Sequence, residues 1–378
     1  MINYILLGLF ALLLAHYIFF LIRIYKGLTN LNSDTTDKIL PESISIIIPF
    51  RNEAENILEN LRSIEALDYP KEKHEVIYVN DFSNDNSLNI LLKNKFSTNI
   101  KIISVPDDFS KNAHKKRAVR YGIENSKGDI IVTTDADCLY EKNWLNSLLN
   151  NFDESTGFVS GPVEFIEEEG LFTKIQRLEF AGLVLTGAGL IGAGKPTICN
   201  AANIAYRKKV FNEVGGFKDQ MNLSSGDDEL LMQKISKDTK YNVKFSVNKN
   251  SIVKTPANKN FSEFYHQRKR WASKGLFYGD KLLVIKLILI YLFYFGLIIQ
   301  TNLIFSLSSV YAFPLGLSVV IKFSLEYLIL KKGSSLIFTD LSLKPFFITE
   351  ILQIPYIIVS GFFGLFGNLH WKGRKLKR

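Results

Sequence analysis

Apolar residues follow two patterns along this 378-residue chain. From Ser43 to Thr134, short β-branched runs alternate with stretches of helical spacing, whereas at both ends apolar residues run on for bilayer length. Ser43–Pro49, His74–Val79, Ile100–Val105 and Asp129–Thr134 read as buried strands, with helices at Ile57–Ala66, Leu88–Lys95 and Lys115–Asn125. Such alternation predicts a mainly parallel sheet covered on both faces. Further on, Trp144–Phe152 predicts a helix and Gly157–Phe165 a strand. Phe172–Ile191 predicts an apolar helix, either core or resting on a membrane, followed by a short strand at Asn203–Tyr206 and a helix at Lys208–Val214.

Ile2–Ile22 is long enough to span a bilayer. No basic segment precedes it, while Arg23 and Lys26 follow, so a retained anchor is expected with the next domain in the cytoplasm. Leu28–Glu42 is polar and reads as a linker. Leu282–Leu307 and Tyr311–Leu330 predict two more spans, closed by Lys331 and Lys332. Phe346–Phe366 is a third apolar segment, interrupted by Pro355 and glycines. Lys322 and Glu326 lie one helical turn apart within the second of these spans. A lone charge at that depth costs roughly 2.5–3.5 kcal/mol, so the two are expected to pair or to face a protein interior. These breaks divide the chain into an anchor (1–26), a linker (27–42), an α/β domain (43–260), an interfacial helix (261–280), a membrane region (281–370) and a basic tail (371–378). Three full crossings after the α/β domain would leave that tail outside, against the positive-inside tendency. Phe346–Phe366 is therefore expected to bend into a re-entrant or interfacial element, with a cytoplasmic C-terminus.

Composition adds three points. The 47% apolar content owes its excess to the two ends. A net charge of +9 has no nucleic-acid motif behind it and reads as attraction to the cytoplasmic leaflet plus phosphate binding. No nucleic-acid partner is expected. Two cysteines, Cys138 and Cys199, make no disulfide framework and fit a reducing compartment.

The candidate chemistry starts at Asp135-Ala136-Asp137, after the run Ile130–Thr134. Alternate residues of a strand share a face, so both carboxylates are expected to point into the crevice beyond its C-terminal end. Two carboxylates with water and diphosphate oxygens suit Mg²⁺ or Mn²⁺. Other stations lie at Pro49-Phe50-Arg51-Asn52-Glu53, Asp81, Lys115, Asp227-Asp228 and Gln267-Arg268-Lys269-Arg270-Trp271. These residue types suit glycosyl transfer: a carboxylate to take an acceptor proton, Lys and Arg to hold a leaving diphosphate, and an indole face for a sugar ring. No histidine cluster of metal-ligand spacing and no nucleotide-triphosphatase loop competes.

In this order, from Ser43 to Trp271, the motifs resemble the family 2 glycosyltransferases, specifically the membrane-embedded branch of cellulose, chitin and hyaluronan synthases and ceramide glucosyltransferases. The resemblance implies an α/β fold, a GT-A type nucleotide-sugar-binding domain flanked by N- and C-terminal transmembrane helices. It implies a hexosyltransferase using a nucleotide-sugar donor, expected to be a UDP-sugar, a divalent cation (Mg²⁺ or Mn²⁺), and a lipid or glycan acceptor. Asp81 would contact the base, with Pro49, Arg51 and Glu53 around the nucleoside. Lys115 would sit near the diphosphate, Asp135 at the nucleotide and metal, and Asp137 on the metal. Asp228 would be the general base, with Asp227 beside it, where the family has Glu-Asp. Gln267, Arg268, Arg270 and Trp271 would close over the diphosphate and form the acceptor's entry. Phe82 stands where the family often has glycine. A multi-pass protein of a bacterial inner membrane, in contact with its lipids, is expected. Few spans favour single transfer; the alternatives are a processive polysaccharide synthase that translocates a β-linked glycan and a catalytically inactive membrane scaffold.

Overall fold

A computed structural model of the chain describes residues 1–32, 42–109, 114–218, 226–275, 278–367, 369–371 and 374–376. Helix α1 spans Ile2–Asn30. The α/β part follows as β1 (Ile44–Phe50), α2 (Ile57–Glu65), β2 (His74–Asn80), α3 (Ser87–Lys93), β3 (Ile100–Ser104), α4 (His114–Glu124) and β4 (Ile130–Thr133). Next come β5 (Leu139–Tyr140), α5 (Trp144–Leu149), β6 (Thr156–Ser160), β7 (Val163–Phe165), α6 (Leu171–Gly192), β8 (Ile204–Arg207) and α7 (Lys208–Glu213). Then α8 (Glu229–Asp238), β9 (Asn242–Phe245), β10 (Val253–Thr255) and α9 (Phe261–Ala272) lead to the apolar helices α10 (Lys281–Ser306), α11 (Ala312–Leu336) and α12 (Phe346–Phe366). A hairpin of β11 (Leu369–Trp371) and β12 (Arg374–Leu376) comes last.

The main sheet has the order β3-β2-β1-β4-β8-β6-β9. Strands β1 to β4 are mutually parallel, with Ile46 opposite both Val76 and Val132. Every residue of β1, β2 and β4 is buried, which is why these strands read as unbroken apolar runs. Strand β8 runs antiparallel to β4 and β6, and β9 parallel to β6, so the sheet is mixed but mostly parallel. The single strand expected over Gly157–Phe165 is two. Strand β6 belongs to the main sheet and β7 to a small sheet of order β5-β10-β7. Between them, Pro162 lacks a ladder N–H. A side chain on Gly161 would lie 2.3 Å from the Asn203 amide, so the chain turns there.

Among the described residues, four helices are long and apolar enough to cross a membrane: Ile2–Asn30, Lys281–Ser306, Ser309–Leu336 and Phe346–Phe366. The first runs past Ile22 into the expected linker, because Ile24, Gly27 and Leu28 are buried against α6. The rest of that linker, residues 33–41, lies outside the described residues. Helix α12 does not bend apart at Pro355 as expected, but stays one helix. A proline inside a helix forfeits one backbone hydrogen bond. Flanking contacts hold this one: the Tyr356 hydroxyl donates to Glu179 at 2.5 Å, and Tyr291 donates to the Ile358 carbonyl at 3.2 Å. Lys322 is fully buried and pairs with Glu326 at 3.1 Å and with Glu350 of α12, while donating to Gln353 at 2.8 Å. The charge expected to seek a partner has two.

Helices α1 and α6 touch backbone to backbone. A Cβ on Gly27 would fall 1.7 Å from the Gly189 carbonyl oxygen, and one on Gly192 would fall 2.2 Å from that of Gly27. Gly27→Val should therefore force the two helices apart and destabilise the protein by about 1–3 kcal/mol, the usual cost of overpacking. Gly8→Val, where a Cβ meets nothing within 4 Å, should cost little. Thermal midpoints of the two variants in detergent micelles check the contrast.

Candidate active site

The C-terminal ends of β1, β2 and β4 open into a cavity of about 710 Å³, roofed by Asp227 and Asp228 just before α8 and by α9. Every expected site residue except Arg268 lines it. At one end Asp81, the residue after β2, is held by its own N–H, which donates to the Phe50 carbonyl at 2.9 Å. Its side chain is 2% exposed, and Arg117 of α4 donates to Oδ1 through Nε at 2.7 Å. Arg51 donates to the carbonyls of Asp81, at 3.0 Å, and Phe82. Phe82 takes a φ of 58°, in the left-handed region that favours glycine.

The middle of the cavity is acidic and basic in close alternation. Lys115, on the first turn of α4, pairs with Asp135 and lies 4.0 Å from Asp227 Oδ2. Burial lowers the Lys115 pKa, but Asp135 and Asp227 more than reverse this, so the ammonium stays charged. Lys116 beside it shows the opposite balance: burial outweighs the same carboxylates and brings it down to about 8. Asp135 and Asp137 stand in the turn after β4 and not on the strand itself, which ends at Thr133. Alternation along a strand thus does not aim them. Their turn is pinned by Asn60 of α2, whose buried amide donates to the carbonyls of Cys138, at 2.7 Å, and Asp135, at 3.2 Å. The Tyr78 hydroxyl in turn donates to Asn60 Oδ1 at 2.7 Å. Asn60 is legible in the sequence only as a polar residue on the buried face of an amphipathic helix.

Asp228 is the N-cap of α8. Its two oxygens accept from Glu229 N–H at 2.8 Å and Ala201 N–H at 3.1 Å. Burial pushes this carboxyl up, but Lys274 and the Glu229 N–H pull it down further, leaving it below the usual range. Lys274, absent from the sequence-based set, lies 3.8 Å from Asp228 Oδ1 and 3.0 Å from Glu229 Oε1. It continues the face of Gln267, Arg270 and Trp271 at the next helical turn, a signal that the pentapeptide alone hides.

Arg268 is the correction. On α9 its side chain turns away from the cavity and is 4% exposed. It pairs with Glu179 of α6, donates to Gln267 Oε1 at 2.5 Å, and lies 4.4 Å from the Trp271 ring centroid. It holds Gln267 and Trp271 from behind. Trp271 leans on Phe180 at 5.8 Å, and Phe180 stacks on Phe165 at 4.4 Å, giving the cavity one aromatic wall. Among the described residues no group of three or more His, Cys, Asp or Glu side chains can hold a metal ion alone. Asp135 and Asp137 offer hard oxygen donors that fit Mg²⁺ or Mn²⁺ only with further oxygens from a ligand and water.

Residues 45–215 match the family model described as Glycosyl transferase family 2. The chain is 31% identical over 189 residues, 49% of its length and 58% of the relative's, to glycosyltransferase AglE of Haloferax volcanii. It is 30% identical over 145 residues to the poly-beta-1,6-N-acetyl-D-glucosamine synthase of Staphylococcus aureus, covering 38% of this chain and 34% of that one. It thus spans less than two thirds of either relative. Among solved structures, the mannosyltransferase PcManGT from Pyrobaculum calidifontis, in complex with GDP-Man and Mn²⁺, superimposes with a TM-score of 0.61 at 18% identity, covering 96% of this chain and 99% of that one. That likeness shows the fold, which is of the GT-A type. Over residues 45–215 this chain is thus similar to the glycosyl transferase family 2 domains.

Proposed function

We propose that the protein is an inverting glycosyltransferase that moves a sugar from a nucleotide-sugar donor to a lipid or glycan acceptor at the cytoplasmic face of a membrane. One observation carries this reading: a single cavity, beside apolar helices, gathers Asp81, Lys115, Arg270, the Asp135–Asp137 turn, a fixed Asp228 and the Trp271 wall. The base of the donor rests at Asp81 and Arg51, and its diphosphate between Lys115 and Arg270. Asp228 takes the proton of an acceptor hydroxyl as that oxygen forms its bond to the anomeric carbon. The bond from that carbon to the diphosphate breaks on the opposite face, and the diphosphate leaves with the electron pair. Asp135 and Asp137 are the residues that would hold a divalent cation, which when bound neutralises charge on the leaving diphosphate. Lys115 and Arg270 stabilise the same charge with direct hydrogen bonds.

The aromatic wall of Trp271, Phe180 and Phe165 suits a sugar ring or lipid headgroup as acceptor. Single transfer or short extension is favoured over processive synthesis with export, because a polar network fills the helix bundle around Lys322. Tyr17 of α1 donates to Glu326 at 2.5 Å, and Tyr294 of α10 to Gln353 at 3.0 Å. The domain boundaries are proposed as the sequence suggests, with the anchor prolonged to Asn30. One contact and one packing support the proposed orientation. Arg374, beyond α12, pairs with Asp81 of the catalytic domain, so the chain between them crosses the bilayer an even number of times. Helix α12 packs along α9, with Phe264 beside Tyr356 and Gly364 beside Ala272. Helices α10 and α11 are then the crossing pair, and α12 lies in the interface.

Asp228→Asn should lower turnover by about 10²–10⁴ while nucleotide binding stays near wild type, the mark of a lost proton acceptor. Lys274→Met should raise the Asp228 pKa, so the acid limb of the pH profile of kcat/KM should move to higher pH. An unmoved limb would detach Lys274 from the base. Excess chelator should abolish turnover and Mn²⁺ or Mg²⁺ should restore it; full activity without divalent cation defeats the metal assignment. Cysteine accessibility in sealed vesicles checks orientation: a cysteine replacing Ser308 between α10 and α11 should react from the side opposite one replacing Ser342.

A further inference from the structure

The last described residues return to the catalytic domain. Strands β11 and β12 pair antiparallel, with Trp371 opposite Arg374. The Arg374 guanidinium donates from Nη1 to Asp81 Oδ2 at 2.7 Å and from Nη2 to the Asp81 carbonyl at 3.2 Å. Arg117 holds the other carboxylate oxygen from α4, at 2.7 Å. Arg117 and Arg374 also approach the Phe82 ring, at 4.7 Å and 5.8 Å from its centroid. One carboxylate, almost wholly buried, is thus gripped on each oxygen by a different guanidinium. One grip comes from the helix before the catalytic carboxylates and the other from beyond the whole membrane region. Arg374 does not line the cavity, and of the groups it donates to, Asp81 is the one that does.

We propose that Arg374 is a positioning residue for nucleobase recognition: the C-terminal hairpin clamps Asp81 so that its carboxylate accepts from a ring N–H of the donor's base. This rests on the reading of Asp81 as the base contact. An ionised carboxylate only accepts hydrogen bonds, and Arg51, in the same cavity, only donates. The pair therefore fits a base edge with a ring N–H beside a carbonyl, as uracil and guanine carry. Adenine and cytosine present an unprotonated ring nitrogen there. Each guanidinium removes one way for the carboxylate to rotate. Losing Arg374 leaves the acceptor in place but loosely aimed.

The test is calorimetric binding of UDP and GDP to the full chain in detergent, with inorganic pyrophosphate as the comparison ligand, in Mn²⁺-containing buffer. Arg374→Ala should weaken UDP or GDP by about 5- to 20-fold, the scale of a charge-assisted hydrogen bond partly lost. Pyrophosphate, which has no base, should bind as to the wild type. Arg374→Lys should recover part of the loss, since an ammonium can hold one oxygen but not brace the carbonyl as well. The proposal is overturned if Arg374→Ala binds the nucleotides as well as the wild type or better. It is overturned too if that variant loses pyrophosphate in equal measure, which marks general damage to the domain. Asp81→Asn separates the two readings. If it weakens nucleotide binding while Arg374→Ala does not, only the clamp fails; if it changes nothing, the base contact itself is misplaced.

Discussion

The arrangement of the cavity hangs on the carboxylate of Glu179. It is buried in α6, pairs with Arg268 of α9, and accepts from Tyr356 of α12. Three helices from three parts of the chain thus meet on one charge. A buried ion pair of this kind is little evidence of net stability, since desolvating both ions offsets much of their attraction. Its weight lies in the penalty for breaking it, about 3–5 kcal/mol when one partner is removed and the other stays buried. That penalty fixes the rotation of α9 about its own axis. With Arg268 turned to Glu179, the face carrying Gln267, Arg270, Trp271 and Lys274 has to look into the cavity. A motif that reads as five residues in a row therefore works as one helical face plus one anchor behind it.

Much of this was legible in the sequence. Strands β1, β2 and β4 are buried on both faces, and runs such as Ile46-Ile47-Ile48 leave no other reading. Carboxylates and cations placed just after those strands converge because a parallel sheet brings its C-terminal ends to one edge. What stayed hidden depends on contacts between distant segments. Arg268 has the same composition and neighbourhood as Arg270, and only the helix's rotation separates them. Asn60 acts through a backbone turn that no spacing rule connects to it. Pro355 obeys a local rule that Tyr356 and Tyr291 override from outside the helix. Gly161 and Pro162 do signal the break between β6 and β7, and an apolar run on either side masks it.

The glycine contact of α1 with α6 gives the same lesson from the membrane side. Without Cβ atoms, two backbones lie closer than ordinary helix packing allows. Helix α6 is at once a neighbour of the first apolar helix and, through Phe180, a wall of the cavity. The α/β layer and the apolar layer therefore share an element. The cavity is thereby held at a fixed place relative to the apolar helices.

The contact between Asp81 and Arg374 spans 293 positions of the chain. Closing so long a loop is slow and comes late, after the intervening helices are in place. Synthesis proceeds from the N-terminus, so the domain's core strands exist well before Arg374 leaves the ribosome. The Asp81 end of the cavity is accordingly assembled last. A chain that stops short of Arg374 carries an intact sheet and an Asp81 carboxylate held by one guanidinium of its two.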